Sequence, residues 1–349
     1  MSLIVSLIAI GAVVVVGAIG GLVPALHPVF GVVIPYAALA VFILGFIWRV
    51  LRWAKSPVPF PIATTAGQQK SLPWIKQDKL ENPSTRWQVV DRMILEIVLF
   101  RSLFRNTRME LYKENGKLTY GWQLWLWAFA LAFHYSFLVV VLRHLRFFLD
   151  PIPLPVTLLE SVDGFLQVGL PSVMISGFVL LGAVGYLLVR RLYVPFMRYI
   201  SLPSDYFPLF LIASIAATGI LMRYVVRVDV VGVRELTLGI ATLNPVVPDG
   251  INFLFYIHLF LVCVLLAYFP FSKLMHLGGI FMSPTRNLRG NSREFRHVNP
   301  WNYPVKTHTY DEYEEEFRDR MIEAGLPVEK QPAESGSATD TESAEDSAE

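Results

Sequence analysis

Six stretches of this 349-residue chain are each long and apolar enough to cross a bilayer: roughly 3–23, 29–51, 121–149, 165–189, 206–226 and 251–274. About 20 apolar residues of helix span the ~30 Å hydrocarbon layer, and helices of this kind satisfy their own backbone polar groups in lipid. The expected fold is an all-α integral membrane protein, a bundle of six transmembrane helices. The first run has too weakly basic a start, and no clear small-x-small cleavage site after it, to read as a signal peptide, so it is expected to stay as a helix. A hydrophobic content of 54% and a mean hydropathy of +0.48 fit this class.

Charge is divided unevenly along the chain. Residues 311–349 hold 14 of the 28 acidic residues and three of the 30 basic ones, so a basic membrane body precedes an acidic tail. The end of that tail, "EKQPAESGSATDTESAEDSAE", reads as disordered and solvated. Basic residues gather between Arg49 and Lys117, in "RRLYVPFMR" at 190–198 and after Lys273, which by the positive-inside rule places both termini in the cytoplasm. Arg223, Arg227 and Arg234 fall on the outer side against this majority. The expected domains are an N-terminal helix with its outer link over 1–28, a core over 29–282 carrying a cytoplasmic amphipathic insertion at 53–119, and a cytoplasmic tail over 283–349, disordered from about 311. Inside the insertion, Thr85 and Gln88 form a candidate capping box before "RWQVVDRMILEIVLFRSLFRN", a helix suited to lie on the membrane surface. "GAIGG" at 17–21 suits close helix packing, and "SPVPFP" at 56–61 a stiff exit from the second span.

Four of the seven histidines lie in apolar runs: His134 and His144 in the third, His258 and His276 in the sixth. As a continuous helix, "HLFLVCVLLAYFPFSKLMH" would put His258 and His276 on one face about 27 Å apart, while His134 and His144 would be separated by about 15 Å. The third and sixth spans run antiparallel, which pairs His134 with His276 at the inner side and His144 with His258 at the outer. Two facing imidazole pairs suit two bis-histidine haems stacked across the bilayer. A lone intramembrane histidine can simply bond a neighbouring helix, but four in complementary pairs are costly in lipid unless they have a function. The single cysteine, Cys263, supports no disulfide, iron–sulfur cluster or covalent haem attachment within the chain.

"FHYSFLVVVLRH" and "HLFLVCVLLAYFPFSKLMH" resemble the haem-bearing helices of the gamma subunits of respiratory nitrate reductases, membrane cytochromes b of five helices. "IPYAALAVFILGFIWR" and "GYLLVRRLYVPFMRYISLPSDYF" resemble the first helix and a cytoplasmic link of that family, and the likeness covers about 30–285. The extra N-terminal helix, the longer first cytoplasmic segment, the tail, "GQQKSLPWIKQ" and "HVNPWN" are similar to the cytochrome b subunits of DsrMKJOP complexes, which are associated with sulfite reduction. The resemblance implies two b haems, on His134/His276 and His144/His258, and menaquinone as the exchange partner. It also implies a DsrK-like cytoplasmic iron–sulfur subunit, a DsrP-like membrane subunit and DsrJ- and DsrO-like extracytoplasmic subunits, in dissimilatory sulfur metabolism. A gamma-type cytochrome of a nitrate reductase-like complex is the nearest alternative. A histidine-lined transporter or a plain membrane anchor is the more distant one.

The family's quinol lysine has no counterpart in "LLESVDGFLQVGL", where Glu160, Asp163 and Gln167 are the polar candidates for binding a quinol hydroxyl or taking its proton. Arg143 and Arg146, beside the outer pair, and Ser272 and Lys273, beside the inner, are candidate partners of haem propionates. No nucleophile–base pair or phosphate-binding loop is evident, so any sulfur chemistry is expected in partner subunits.

Overall fold

The computed structural model describes residues 1–56, 67–112, 116–167, 169, 171–292, 294–295 and 306–330. It divides into two units, Met1–Asn299 and Pro300–Glu349. "SPVPFP" beyond Ser56, "HVNPWN" and the last part of the acidic tail lie outside the described residues.

Six helical stretches of the first unit are long and apolar enough to cross a membrane: Ser2–Leu22, Pro24–Ala54, Leu124–Phe147, Ile175–Tyr193, Pro203–Val226 and Phe253–Phe271. Helix α1 (Ser2–Leu22) packs on α11 (Phe253–Tyr268) and α9 (Pro203–Leu221), and α2 (Ile34–Ala54) packs on α11. On the other flank α5 (Leu124–His144) packs on α7 (Ile175–Tyr193), and α7 on α9. The glycines of "GAIGG" explain how α1 comes so close to α11. A Cβ at Gly21 would stand 2.6 Å from the Phe253 carbonyl oxygen, and one at Gly17 would stand 3.2 Å from the Ile257 Cα. Around this contact Ile10, Leu211, Ile257 and Leu261 are buried together, while Leu180, Val184, Ile212 and Ala216 fill the seam between α7 and α9. Many apolar side chains of the spans, such as Ile8, Leu44 and Leu138, face outward, as a lipid-facing surface requires.

Between α2 and α5 the chain forms a polar subdomain. Helix α3 (Arg86–Val98) starts at Thr85, whose hydroxyl accepts from the Gln88 N–H; the Gln88 side chain accepts from the N–H of Ser84, one residue earlier than a reciprocal capping box would have it. One-turn α4 (Arg101–Phe104) follows, with Arg101 and Arg105 both paired to Glu81. Strands β1 (Thr107–Tyr112) and β2 (Lys117–Trp122) then form an antiparallel hairpin, Thr107 opposite Trp122, that leads into α5. Most of the hairpin lies in the expected insertion, and its last residues, Gly121 and Trp122, fall at the start of the third apolar run.

Two further helices lie in segments expected to be links: α6 (Leu154–Asp163) and, after the short α8 (Pro195–Ile200), α10 (Val230–Ala241), which Asp229 caps through the N–H groups of Val231 and Gly232. The fourth span begins at Ile175 rather than near 165, because Gly164, Gly169 and Pro171 interrupt the apolar run and Leu166 bridges Val173 instead. After α11 the chain makes two short turns, α12 (His276–Gly279) and α13 (Pro284–Asn287), the second packing on α3.

In the second unit α14 (Tyr310–Glu323) opens with a capping box between Thr309 and Glu312. Its buried Glu314 accepts from the N–H groups of Glu329 and Lys330. Tyr310–Glu323 is therefore helical although low hydrophobicity pointed to disorder from about 311, because cap and carboxylate bond the backbone locally.

Candidate haem-binding site

The histidine-bearing helices are not close-packed on one another: α5 rests on α7, and α11 on α1, α2 and α9. Their imidazoles nonetheless meet in the two combinations that the antiparallel arrangement requires. His134 and His276 have ring centroids 5.8 Å apart, inclined at 82°. His144 and His258 are 6.4 Å apart and nearly parallel, at 17°.

His276 arrives by a different route from the one a continuous helix would provide. Helix α11 ends at Tyr268, a tight turn follows over Phe269–Phe271, and Ser272 is extended with φ −114° and ψ 178°. Pro270 has no N–H to continue the helical ladder, and the Ser272 hydroxyl caps the next turn by accepting from the Leu274 N–H. The residues from 258 to 276 are thus a helix, a break and a turn, and the 27 Å spacing of an unbroken helix does not apply.

In every one of the four rings Nδ1 has a fixed partner. His134 bonds the Ala130 carbonyl at 2.7 Å, His144 the Val140 carbonyl at 2.6 Å and His276 the Lys273 carbonyl at 2.9 Å. A carbonyl only accepts, so each of these Nδ1 atoms carries the proton. His258 Nδ1 lies 2.9 Å from the Thr218 hydroxyl, whose own proton is directed to the Ser214 and Ile215 carbonyls, so this Nδ1 also donates. With Nδ1 so engaged, the neutral form of each ring keeps Nε2 as its lone-pair nitrogen, the ligating form of histidine.

The spacing fits one iron between each pair. With a metal–nitrogen bond of about 2 Å and about 1 Å more to each ring centre, two imidazoles sharing one metal would have centroids about 6 Å apart. Among the described residues no group of three or more His, Cys, Asp or Glu gathers at a common point. His134 with His276 and His144 with His258 would each hold a haem iron, which would supply a one-electron carrier there, whereas a pair of ligands falls short of the four of a structural zinc. Gly219, next to Thr218, leaves room at the second pair: a Cβ there would lie 3.4 Å from His258 Cε1. At the first pair, Phe100 sits edge-on to His134 at 4.8 Å. Phe100 holds a left-handed φ of 50°, unusual for a bulky residue.

The chain has relatives among known proteins. Residues 87–294 match the family described as nitrate reductase gamma subunit. The chain belongs to that family. Like other members of this family of membrane cytochromes b, it is mostly helical and crosses the membrane. It is also 47% identical over 280 residues to the "Hdr-like menaquinol oxidoreductase cytochrome b-like subunit" of Archaeoglobus fulgidus, covering 78% of this chain and 83% of that one. The Archaeoglobus profundus protein of the same description is 40% identical over 316 residues, covering 83% and 93%.

The remaining candidates of this gamma-family chain mostly pair with each other. Arg143 bonds Asp163 at 2.9 Å, and Arg146 bonds Glu160. Asp163 further accepts from the Ser176 N–H and hydroxyl, both at 2.7 Å. Arg143 keeps one buried guanidinium nitrogen, Nε, without a partner, as does nearby Arg223. At the other end Lys273 bonds Asp205 at 2.6 Å, and the Ser272 hydroxyl donates to the Phe269 carbonyl at 2.9 Å. Gln167 is exposed beyond the end of α6. The arginines that break the positive-inside pattern are partly accounted for: Arg234 pairs with Asp150 at 3.0 Å, and Arg223 donates to the Ser172 carbonyl at 3.2 Å.

Thr218, Gly219 and Phe100 escaped the sequence reading. A threonine or glycine in an apolar helix is ordinary, and Phe100 gains its place only from the turn between α3 and α4. Gly219 could have drawn attention through the adjacent Thr218, since a small pair facing a neighbouring helix marks close approach.

Proposed function

We propose that this chain is a membrane electron-transfer subunit that exchanges electrons between menaquinol and a cytoplasmic iron–sulfur partner by way of two b haems. The observation that carries the reading is the set of four imidazoles in two facing pairs, each with Nδ1 committed and Nε2 free. When bound, haem supplies a one-electron carrier at each pair, while the protein fixes spacing, ligand tautomer and access.

Positive-inside counting puts the His144/His258 pair toward the outer face and the His134/His276 pair toward the cytoplasm, with both termini inside. The quinol site is assigned to the outer half. An apolar groove of about 340 Å³ lies between α5, α6 and α7, with Tyr135, Ser136, Val162, Asp163 and Ser176 in its walls. Its size is at the lower end for a ring-sized ligand. Asp163 stands in the wall, held by Arg143 and Ser176, and Glu160 lies one turn earlier on the same helix. A quinol hydroxyl would donate to Asp163, Glu160 would receive the proton beside Arg146, and Gln167 would guide entry. Each quinol would give up two electrons and two protons, the protons toward the outer side, where Glu160 and Asp163 lie, and the electrons toward the groups that the histidine pairs would hold. Arg143, Arg146, Ser272 and Lys273 would bond propionates at the two ends, Arg143 through its unpaired Nε.

The subdomain from α3 to the hairpin would lie at the cytoplasmic interface. The apolar side of α3 exposes Trp87, Val90 and Ile94, and its end is tied to α5 by Trp127, which donates to the Leu99 carbonyl, and Tyr135, which donates to that of Val98. The relatives' description, together with the extra helix and "GQQKSLPWIKQ", favours a subunit similar to DsrM. DsrK-like, DsrP-like, DsrJ-like and DsrO-like subunits would be its partners in sulfur respiration.

Mixing the oxidised, purified protein with a water-soluble naphthoquinol tests the reading. Rapid appearance of reduced b-haem absorbance, slowed at least tenfold in Glu160→Gln, is expected. A protein whose haems dithionite reduces but naphthoquinol does not would overturn quinol oxidation by this subunit.

A further inference from the structure

Three of the four ligating candidates donate Nδ1 to a carbonyl of their own chain segment, three or four residues earlier. His258 is the exception. Its Nδ1 reaches across to α9 and meets the side chain of Thr218 at 2.9 Å. We propose that Thr218 is a positioning residue that holds the tautomer and tilt of His258 and sets the redox potential of the haem at the His144/His258 pair. This inference rests on the two-haem reading above.

The geometry leaves the hydroxyl one role toward His258. Its proton goes to the Ser214 and Ile215 carbonyls at 2.8 and 3.0 Å, so its oxygen presents a lone pair to the imidazole N–H. Because α9 packs on α11, the bond is a strut between two helices rather than a bond within one.

The chemistry follows from the strength of the acceptor. A partner that pulls on Nδ1–H makes the imidazole more basic and stabilises the ferric state. A neutral hydroxyl that is already donating pulls on that proton, and removing it leaves the N–H only the Ile215 carbonyl of α9 to bond. The ring then becomes a weaker donor to iron and the potential rises. The other three ligands depend on backbone carbonyls, so of the four this one is open to tuning by a side-chain substitution.

The test is Thr218→Val and Thr218→Ser in the full chain, with haem counted by pyridine haemochromogen and potentials read by optical redox titration. In T218V one midpoint should rise, by up to the ~59 mV that a tenfold change in the ferric-to-ferrous ratio represents. The other midpoint should stay in place, and T218S should restore both. Selective loss of one haem from T218V with full retention in T218S would support the same role. Unchanged midpoints in T218V, or equal shifts in T218V and T218S, would overturn it. Should T218V not fold, T218A is read by the same criteria. Wild-type protein with no haem that His258→Ala removes would instead defeat the two-haem reading.

Discussion

His134 and His276 differ in how they are held, yet each is half of a pair, and among the described residues each has one imidazole partner within reach of a shared metal. Substituting either by alanine should lower haem from two to one per chain and leave the other haem's spectrum unchanged, as read by pyridine haemochromogen and low-temperature optical spectra. Retention of two haems in His276→Ala would break the pairing. The histidines were legible in the sequence because imidazole is costly in lipid, so its mere presence there carries information. Thr218 was not, because its role depends on which neighbour α9 faces. Asp163 was legible as a polar residue near a membrane end, but its partners were not: Arg143 and Ser176 come from two other helices. Its side chain is only 6% exposed and that of Arg143 14%. Asp163→Ala, which strands a charge, should destabilise the protein by about 3–5 kcal/mol. Thermal unfolding in detergent measures this, and an unchanged midpoint would show that the pair carries little stability.

Long apolar runs translate directly into spans, since in lipid the backbone has few other ways to satisfy its polar groups. Short elements do not. Helices α6 and α10, ten and twelve residues long, read as links because neither reaches the length of a span. The β1–β2 hairpin was hidden by aromatic residues that merge with the start of α5. The break after α11 was the most consequential of these, because "FPFSKLMH" looks continuous by hydropathy while Pro270 and the extended Ser272 end the helix. If that break delivers His276, Pro270→Ala should let α11 continue and carry the imidazole off its position opposite His134. One haem should be lost, leaving a spectrum that matches His276→Ala. Two haems with native potentials would show that the turn forms without the proline.

On the scale of the whole molecule, sequence asymmetry and bundle architecture answer different questions. Hydropathy yields six spans, and the described structure arranges them with α11 at the centre, in contact with α1, α2 and α9. The basic surplus of residues before 311 argues for cytoplasmic termini. A cysteine placed at the N-terminus or at residue 330 should therefore react with a membrane-impermeant maleimide in inverted vesicles and resist it in right-side-out ones. The reverse pattern would turn the proposed proton and electron directions around. The electron-transfer reading depends on the two imidazole pairs holding haem. The most direct measurement is a quantitative pyridine haemochromogen assay on the purified chain, with protein determined by amino-acid analysis. The account predicts close to two b haems per chain; well-folded protein with none would contradict it.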